Sequence, residues 1–273
     1  MAAVTARPPE TRAGRAGRWA LTGAAVIGFV YLFIPIVVIV VYSFNDPAGK
    51  FNIIWRGFTL DNWRNAFDPS PLTDAMSLSL QIAAIAAIAA TILGTLIALA
   101  LVRYRFRGGA AVGLLLVLPL TTPEIVMGSS LATLFISRGV ARGFWTIVIA
   151  HVLFCTSFVA LTVKARIGGF DWTLEDAAMD LGASPWRTFR KVTLPLITPG
   201  ILAAALLSFA LSIDDFIITF FNSGSEETFP LRIYGASRTE LSPQINVLAT
   251  IVLLASVSLM LAGVLFRRRY DEA

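Results

Sequence analysis

Residues Thr173–Pro195 read TLEDAAMDLGASPWRTFRKVTLP, a polar stretch set between two long apolar runs, Phe144–Val163 and Leu196–Phe221. Its local chemistry predicts two short helices. Thr173 with Asp176 three residues on is a capping-box variant, which would satisfy the first free N–H groups of a helix. Ala177 and Ala178 give that helix a small face open to close approach, and Gly182 is placed to end it in a left-handed turn. Ser184 and Pro185 then start a second helix, Ser as N-cap and Pro at the first helical position. Arg187, Arg190 and Lys191 fall toward its C-terminal end, where cations favour the helix dipole. Two short helices meeting at a glycine make a knob that could dock in a groove. The competing reading is an ordinary amphipathic loop at a membrane interface.

Outward from this stretch the chain is apolar. Hydrophobic residues make up 56 % and charged residues 14 %, and the mean hydropathy is +0.75, values foreign to a soluble domain of this size. Apolar runs cover Leu21–Phe44, Leu78–Val102, Ala110–Ser137, Phe144–Val163, Leu196–Phe221 and Ile245–Phe266. Each reaches the roughly 20 residues that cross a bilayer as helix. In lipid such segments must be helices that satisfy their own backbone groups, so the sequence predicts an all-α integral membrane protein of six spans. The first run is too long for the apolar region of a cleaved signal and lacks a small-residue cleavage site, so it is read as a retained span.

The order along the chain follows. Residues 1–20 form a cytosolic tail, with a disordered Arg/Pro/Gly stretch over 1–18, and 21–44 the first span. An outer loop occupies 45–77, where Phe51, Trp55, Phe58 and Trp63 suit the membrane interface or, alternatively, a docking surface for a binding protein. Residues 78–266 hold spans two to six with the 164–195 loop, and 267–273 a cytosolic tail. Small residues recur at helical spacing in the second span (Ala83, Ala86, Ala87, Ala90, Gly94, Ala98), a face that lets helices approach closely.

Basic residues set the orientation. Fifteen of the 22 Lys and Arg fall on one side: Arg7 to Arg18, Arg103 to Arg107, the 164–191 group and Arg267 to Arg269. The positive-inside rule therefore expects both termini and the 164–195 loop in the cytosol. The net charge of +5 is a topology signal, and no basic stripe on a soluble fold suggests nucleic acid. The single cysteine, Cys155, lies within a span and can form no intramolecular disulfide.

Missing motifs narrow the function. No GxxxxGK[ST] phosphate loop is present, since Gly49-Lys50 lacks both the upstream glycine and the following hydroxyl residue, so this chain cannot itself be an ATPase. A lone histidine, His151, with no HExxH or CxxC gives a metal site no support. His151 reads as a packed, hydrogen-bonded residue, with a role on a transport pathway as the alternative. No G-x-S-x-G elbow points to a hydrolase. Acidic residues inside spans are the candidates for contact with cargo, because a buried carboxylate is costly and usually faces protein or water. Glu124 lies near the middle of the third span, in PLTTPEIVMG beside Pro119 and Pro123, which are expected to kink or interrupt the helix. Asp214 and Asp215 lie in the fifth, in LSIDDFIITFFNSG. Adjacent residues on a helix point about 100° apart, so only one of the pair could face a pore squarely. Packed carboxylates that hold helices together are the structural alternative for all three.

The loop motif resembles the EAA loop of permease subunits in type I ABC importers. Asp176-Ala177-Ala178 stands at its head, then Gly182, then Val192-Thr193-Leu194-Pro195, with Asp176 where the family has glutamate and Glu175 just before it. The segments PEIVMG and LSIDDFIITFFNSG resemble the permeases of spermidine/putrescine importers, and the likeness runs from the first span to the sixth. The resemblance implies a six-helix permease core and a coupling role for Glu175, Asp176, Ala177, Ala178, Gly182, Leu194 and Pro195. It also implies a polyamine route past Glu124, Asp214 and Asp215, in the inner membrane of a bacterium. Expected partners are a sister permease, two cytosolic ATPase subunits that carry the ATP and Mg, and an extracytoplasmic binding protein. This chain itself would hold no cofactor. Another organic cation or small solute remains open as cargo, as does a secondary transporter or channel.

Overall fold

The computed structural model describes residues 12–271, with side chains over 17–258. It is helical throughout and forms two compact units, 68–238 and a second made of the chain before and after it.

The second unit holds α1 (Arg12–Tyr42), the one-turn α2 (Asp61–Arg64) and α12 (Pro243–Asp271). Helix α1 begins well inside the stretch expected to be a tail, and residues 1–11 of that tail lie outside the described residues. Between α1 and α2 the chain folds around Asn45, which is fully buried. Its amide donates to Asn52 Oδ1 at 2.7 Å and to the Ile54 carbonyl at 2.8 Å, and its Oδ1 accepts from the Arg56 amide at 2.8 Å. Phe44 stacks on both Phe58 and Trp63. The aromatic loop read from the sequence is thus a hydrogen-bonded fold, with Phe58 and Trp55 left exposed on its surface.

Unit 68–238 is built on three long helices: α3 (Pro71–Arg103), α6 (Phe144–Ile167) and α9 (Leu194–Ile213). Ser70 and Thr73 close a reciprocal capping box at the start of α3, with Pro71 in the first turn, so α3 begins seven residues ahead of the apolar run that announced it. The small-residue face does what its spacing predicts. Ala83, Ala86, Ala90 and Ala98 are fully buried, and a Cβ on Gly94 would meet Val159 at 2.7 Å and the Ala160 amide nitrogen at 2.9 Å. Helices α3 and α6 therefore touch backbone to backbone, and Val159, Val163, Ile167, Ile197 and Ala204 extend the core to α9.

Two expected spans are not continuous helices. The third divides into α4 (Gly109–Thr121) and α5 (Glu124–Ser137), bent by 108°. Pro123 supplies no amide to continue α4 and biases Thr122 to extended backbone, ψ 130°, as a residue before proline prefers. The fifth ends as α9 at Ile213 and resumes as α10 (Ile217–Asn222). Helices α5 and α10 pack on one another at Gly128, where an added Cβ would come within 3.2 Å of the Ile218 Cα. The Asn222 amide donates to the Gly128 carbonyl. Helix α11 (Phe229–Ala236) follows, its first amide bonded to Ser79 of α3 at 2.8 Å.

Among the described residues four helices are long and apolar enough to cross a membrane, or five when the bent pair counts as one. Within α12 the described apolar side chains cover Pro243–Ser258, so the sixth expected span is only partly within them.

Candidate functional site

The 173–195 loop folds as α7 (Thr173–Asp180) and α8 (Pro185–Thr188), followed by a π-helical turn at Phe189–Thr193 that runs into α9. The expected capping box is absent, since neither Thr173 nor Asp176 caps α7 through its side chain. Asp171 performs that task instead. Its Oδ1 accepts from the Thr173 hydroxyl at 2.7 Å and the Thr173 amide at 3.0 Å. Those bonds, the hydroxyl's foremost, hold the Asp171 carboxyl below its ordinary pKa. Ser184 stands in the N-cap place of α8 with Pro185 after it, but its side chain makes no cap bond.

Gly182 has φ of 85°. Its amide bonds to Met179 and that of Ala183 to Ala178, the paired closure that ends a helix in a left-handed glycine. Beyond the turn the knob is apolar at its tip, with Leu181 89 % and Trp186 70 % exposed. Trp186 stacks on Phe189. Asp176 and Ala177 are exposed beside them, Ala178 is half-buried, and Leu194 and Pro195 open α9 beyond the π turn.

Glu175 behaves differently from its neighbours. It is buried, and its carboxylate takes the Arg103 guanidinium at 2.9 and 3.2 Å as well as the Thr193 hydroxyl. Arg103 in turn lies over the Trp172 ring. This ion pair joins the end of α3, the loop and the π turn, so Glu175 fastens the knob from beneath while Asp176 lies on its surface. Arg103 and Thr193 could not be singled out from sequence, because the contact with Arg103 spans 72 residues.

The three acids within spans all fall at helix breaks. Glu124 is in the first turn of α5 and exposed, where the positive end of the helix favours a carboxylate. Asp214 is the C-cap of α9, also exposed, and lies close enough to Glu124 and Asp215 for their charges to interact. Neither Glu124 nor Asp214 has an ion-pair partner among the described residues. Asp215 is enclosed, with its side chain 5 % exposed. It accepts the Thr219 amide and hydroxyl, each at 2.8 Å, and the Ile218 amide at 3.4 Å. His151 Nε2 lies 3.2 Å from it. The pair that sequence treated jointly is thereby divided into one satisfied carboxylate and one open one. Pro119 and Pro123 announced the first break; no proline or glycine announced the second. The spacing of Asp215 and Thr219 was the one available hint, since an Asp can accept the amides of residues three and four ahead when a helix restarts.

Residues 90–272 match the family described as binding-protein-dependent transport system inner membrane component. The spermidine/putrescine transport system permease protein PotC of Haemophilus influenzae is 41 % identical over 245 residues, 89 % of this chain and 95 % of the relative. Its counterpart in Escherichia coli K12 is 41 % identical over 253 residues, 92 % of this chain and 95 % of the relative. The putrescine transport system permease protein PotI of Escherichia coli K12 is 40 % identical, covering 84 % of this chain and 83 % of its own length. Among solved structures, a bacterial ABC transporter that imports the acidic polysaccharide alginate aligns over 96 % of this chain and 99 % of its own. Its TM-score is 0.65 at 17 % identity. The inward-facing methionine ABC transporter MetNI aligns over 72 % of this chain and 95 % of its own, with a TM-score of 0.59 at 16 % identity. At such identities the structures speak for the fold.

Proposed function

The chain belongs to the binding-protein-dependent transport system inner membrane component family, and from that premise we propose that it is a permease subunit of an ATP-driven polyamine importer. One observation carries the reading. Two carboxylates, Glu124 and Asp214, stand without ion-pair partners among the described residues at neighbouring helix breaks, in a chain whose relatives are named for spermidine and putrescine transport. Carboxylates on the route replace part of the hydration that a polycation sheds.

The remainder of the reading builds on the loop. The 164–195 segment is the cytosolic handle of a six-span permease with both termini inside, as the arginine distribution favours. Leu181 and Trp186, exposed at the tip of a polar segment, fit a groove on an ATPase subunit better than water. Asp176, Ala177 and Ala178 flank that contact, Gly182 sets its angle, and Leu194 and Pro195 join it to α9. Two ATPase subunits bind the ATP and Mg; closure of that pair carries the knob, and this chain rocks against a sister permease to open the route outward. An extracytoplasmic binding protein delivers the cargo. Hydrolysis resets the cycle.

Copurification tests the handle. Leu181→Asp combined with Trp186→Asp leaves the permease in the membrane and strips the ATPase subunits from it, since both side chains lie clear of the core. Retention of the ATPase at the level of the unaltered protein would remove this surface from the account.

A further inference from the structure

The break between α9 and α10 has no proline or glycine behind it, and Asp215 caps only its far side. Helix interruptions arise at proline, at glycine or serine pairs, or where a side chain inserts into the ladder, and residues Leu211–Phe216 contain neither proline nor glycine. A side chain from α6 stands there instead. His151 is 2 % exposed. Its Nδ1 lies 2.7 Å from Ser212 Oγ in the last turn of α9, and its Nε2 lies 2.9 Å from Thr219 Oγ1 in α10. With the Thr219 hydroxyl hydrogen given to Asp215, Nε2 is the donor to this cluster and Ser212 meets the other nitrogen.

The distances require the interruption. On an unbroken helix Ser212 and Thr219 would be about 10.5 Å apart along the axis, seven residues at about 1.5 Å each. Their side chains would lean the same way and so would not close that gap. Hydrogen bonds of ordinary length on either side of one imidazole ring span at most about 8 Å. A single ring can hold both hydroxyls only while the helix between them is shortened or bent.

We propose that His151 is a positioning residue of the translocation route: by holding Ser212 and Thr219 together it keeps the α9–α10 break, and so fixes where Asp214 presents its carboxylate. Asp215, held by the same cluster, serves the break and not the cargo. The inference rests on the reading of the chain as a polyamine permease for its functional consequence, though not for its geometry.

Two measurements test it on the assembled complex. In proteoliposomes, His151→Phe keeps an aromatic of similar size and loses both bonds; the KM for putrescine uptake rises about fivefold or more, per assembled complex. His151→Gln, which retains a donor and an acceptor, recovers much of that loss. If KM is unchanged and only the yield of complex falls, His151 is a packing residue and the proposal fails. The second measurement is independent of cargo. With Cys155 replaced by serine, spin labels at Leu207 and Phe220, both exposed, report the distance across the break. His151→Phe lengthens it as the helix straightens, and an unchanged distance overturns the proposal. Should His151→Phe fail to assemble, Ser212→Ala removes the bond to Nδ1 alone and Thr219→Val those to Nε2 and to Asp215, and both variants carry the same two readings. Absence of polyamine uptake by the unaltered complex would strike the proposed function alone, with the distance measurement still deciding the role of His151.

Discussion

Asp214 and Asp215 are chemically identical neighbours given opposite environments. Asp215 satisfies the amides of Ile218 and Thr219 and sits 3.2 Å from His151, so Asn there removes the charge and sets an NH2 donor against one of those buried donors. Loss of such a partner costs about 1–3 kcal/mol, more when the group was charged. Asp214 has no such duties. Asp→Asn keeps size and much of the hydrogen bonding, which separates charge from packing. Asp214→Asn is expected to lower polyamine uptake severalfold while complexes assemble at normal yield, and Asp215→Asn to lower the yield of assembled complex. Uptake per assembled complex, measured for both, decides it; full activity in Asp214→Asn would remove that carboxylate from the route. Glu175 teaches the same lesson in the 173–195 loop. It sits beside the motif head in sequence, yet its bonds to Arg103 and Thr193 make it an anchor. Breaking a buried pair of this kind costs on the order of 3–5 kcal/mol, with the partial exposure of Arg103 placing this one toward the lower end.

At the level of elements, packing distances decide more than hydropathy does. The α3–α6 contact depends on the absence of a side chain at position 94, where a Cβ would lie 2.7 Å from Val159 and 2.9 Å from the Ala160 nitrogen. Gly94→Ala forces the helices apart at an overpacking cost of about 1–3 kcal/mol. The expected result is a lower thermal midpoint of the purified protein, and an unchanged midpoint would show that the helices separate freely. That contact was legible in advance, because Ala83, Ala86, Ala90, Gly94 and Ala98 recur at helical spacing. The left-handed turn at Gly182 was legible for a similar reason, since one residue type satisfies the geometry. The cap of α7 was misread by two residues: Thr173 and Asp176 match a capping pattern, but Asp171 takes the Thr173 amide. The break in the fifth span was illegible, because its holder, His151, is 61 residues from Ser212 and 68 from Thr219. Local pattern identifies helices and their ends where the cause is local, and it fails where a distant side chain sets the end.

Unit 68–238 carries the α7–α8 knob on its helical core, and the positive-inside rule expects that knob in the cytosol. Orientation is the first test at this scale. Accessibility labelling at residues 60, 140 and 232 should report the outside and at 185 the inside; an inside signal at any of the first three, with 185 outside, would refute the arrangement. The central claim is that ATP spent by partner subunits drives a polyamine inward through this chain. Uptake of labelled putrescine by proteoliposomes tests it most directly, using the permease pair, the ATPase subunits and the binding protein, with ATP supplied on the cytosolic face. The account predicts uptake that requires ATP and is competed by unlabelled spermidine and not by a neutral solute of similar size. ATP turnover without putrescine uptake, or uptake competed equally by the neutral solute, would contradict it.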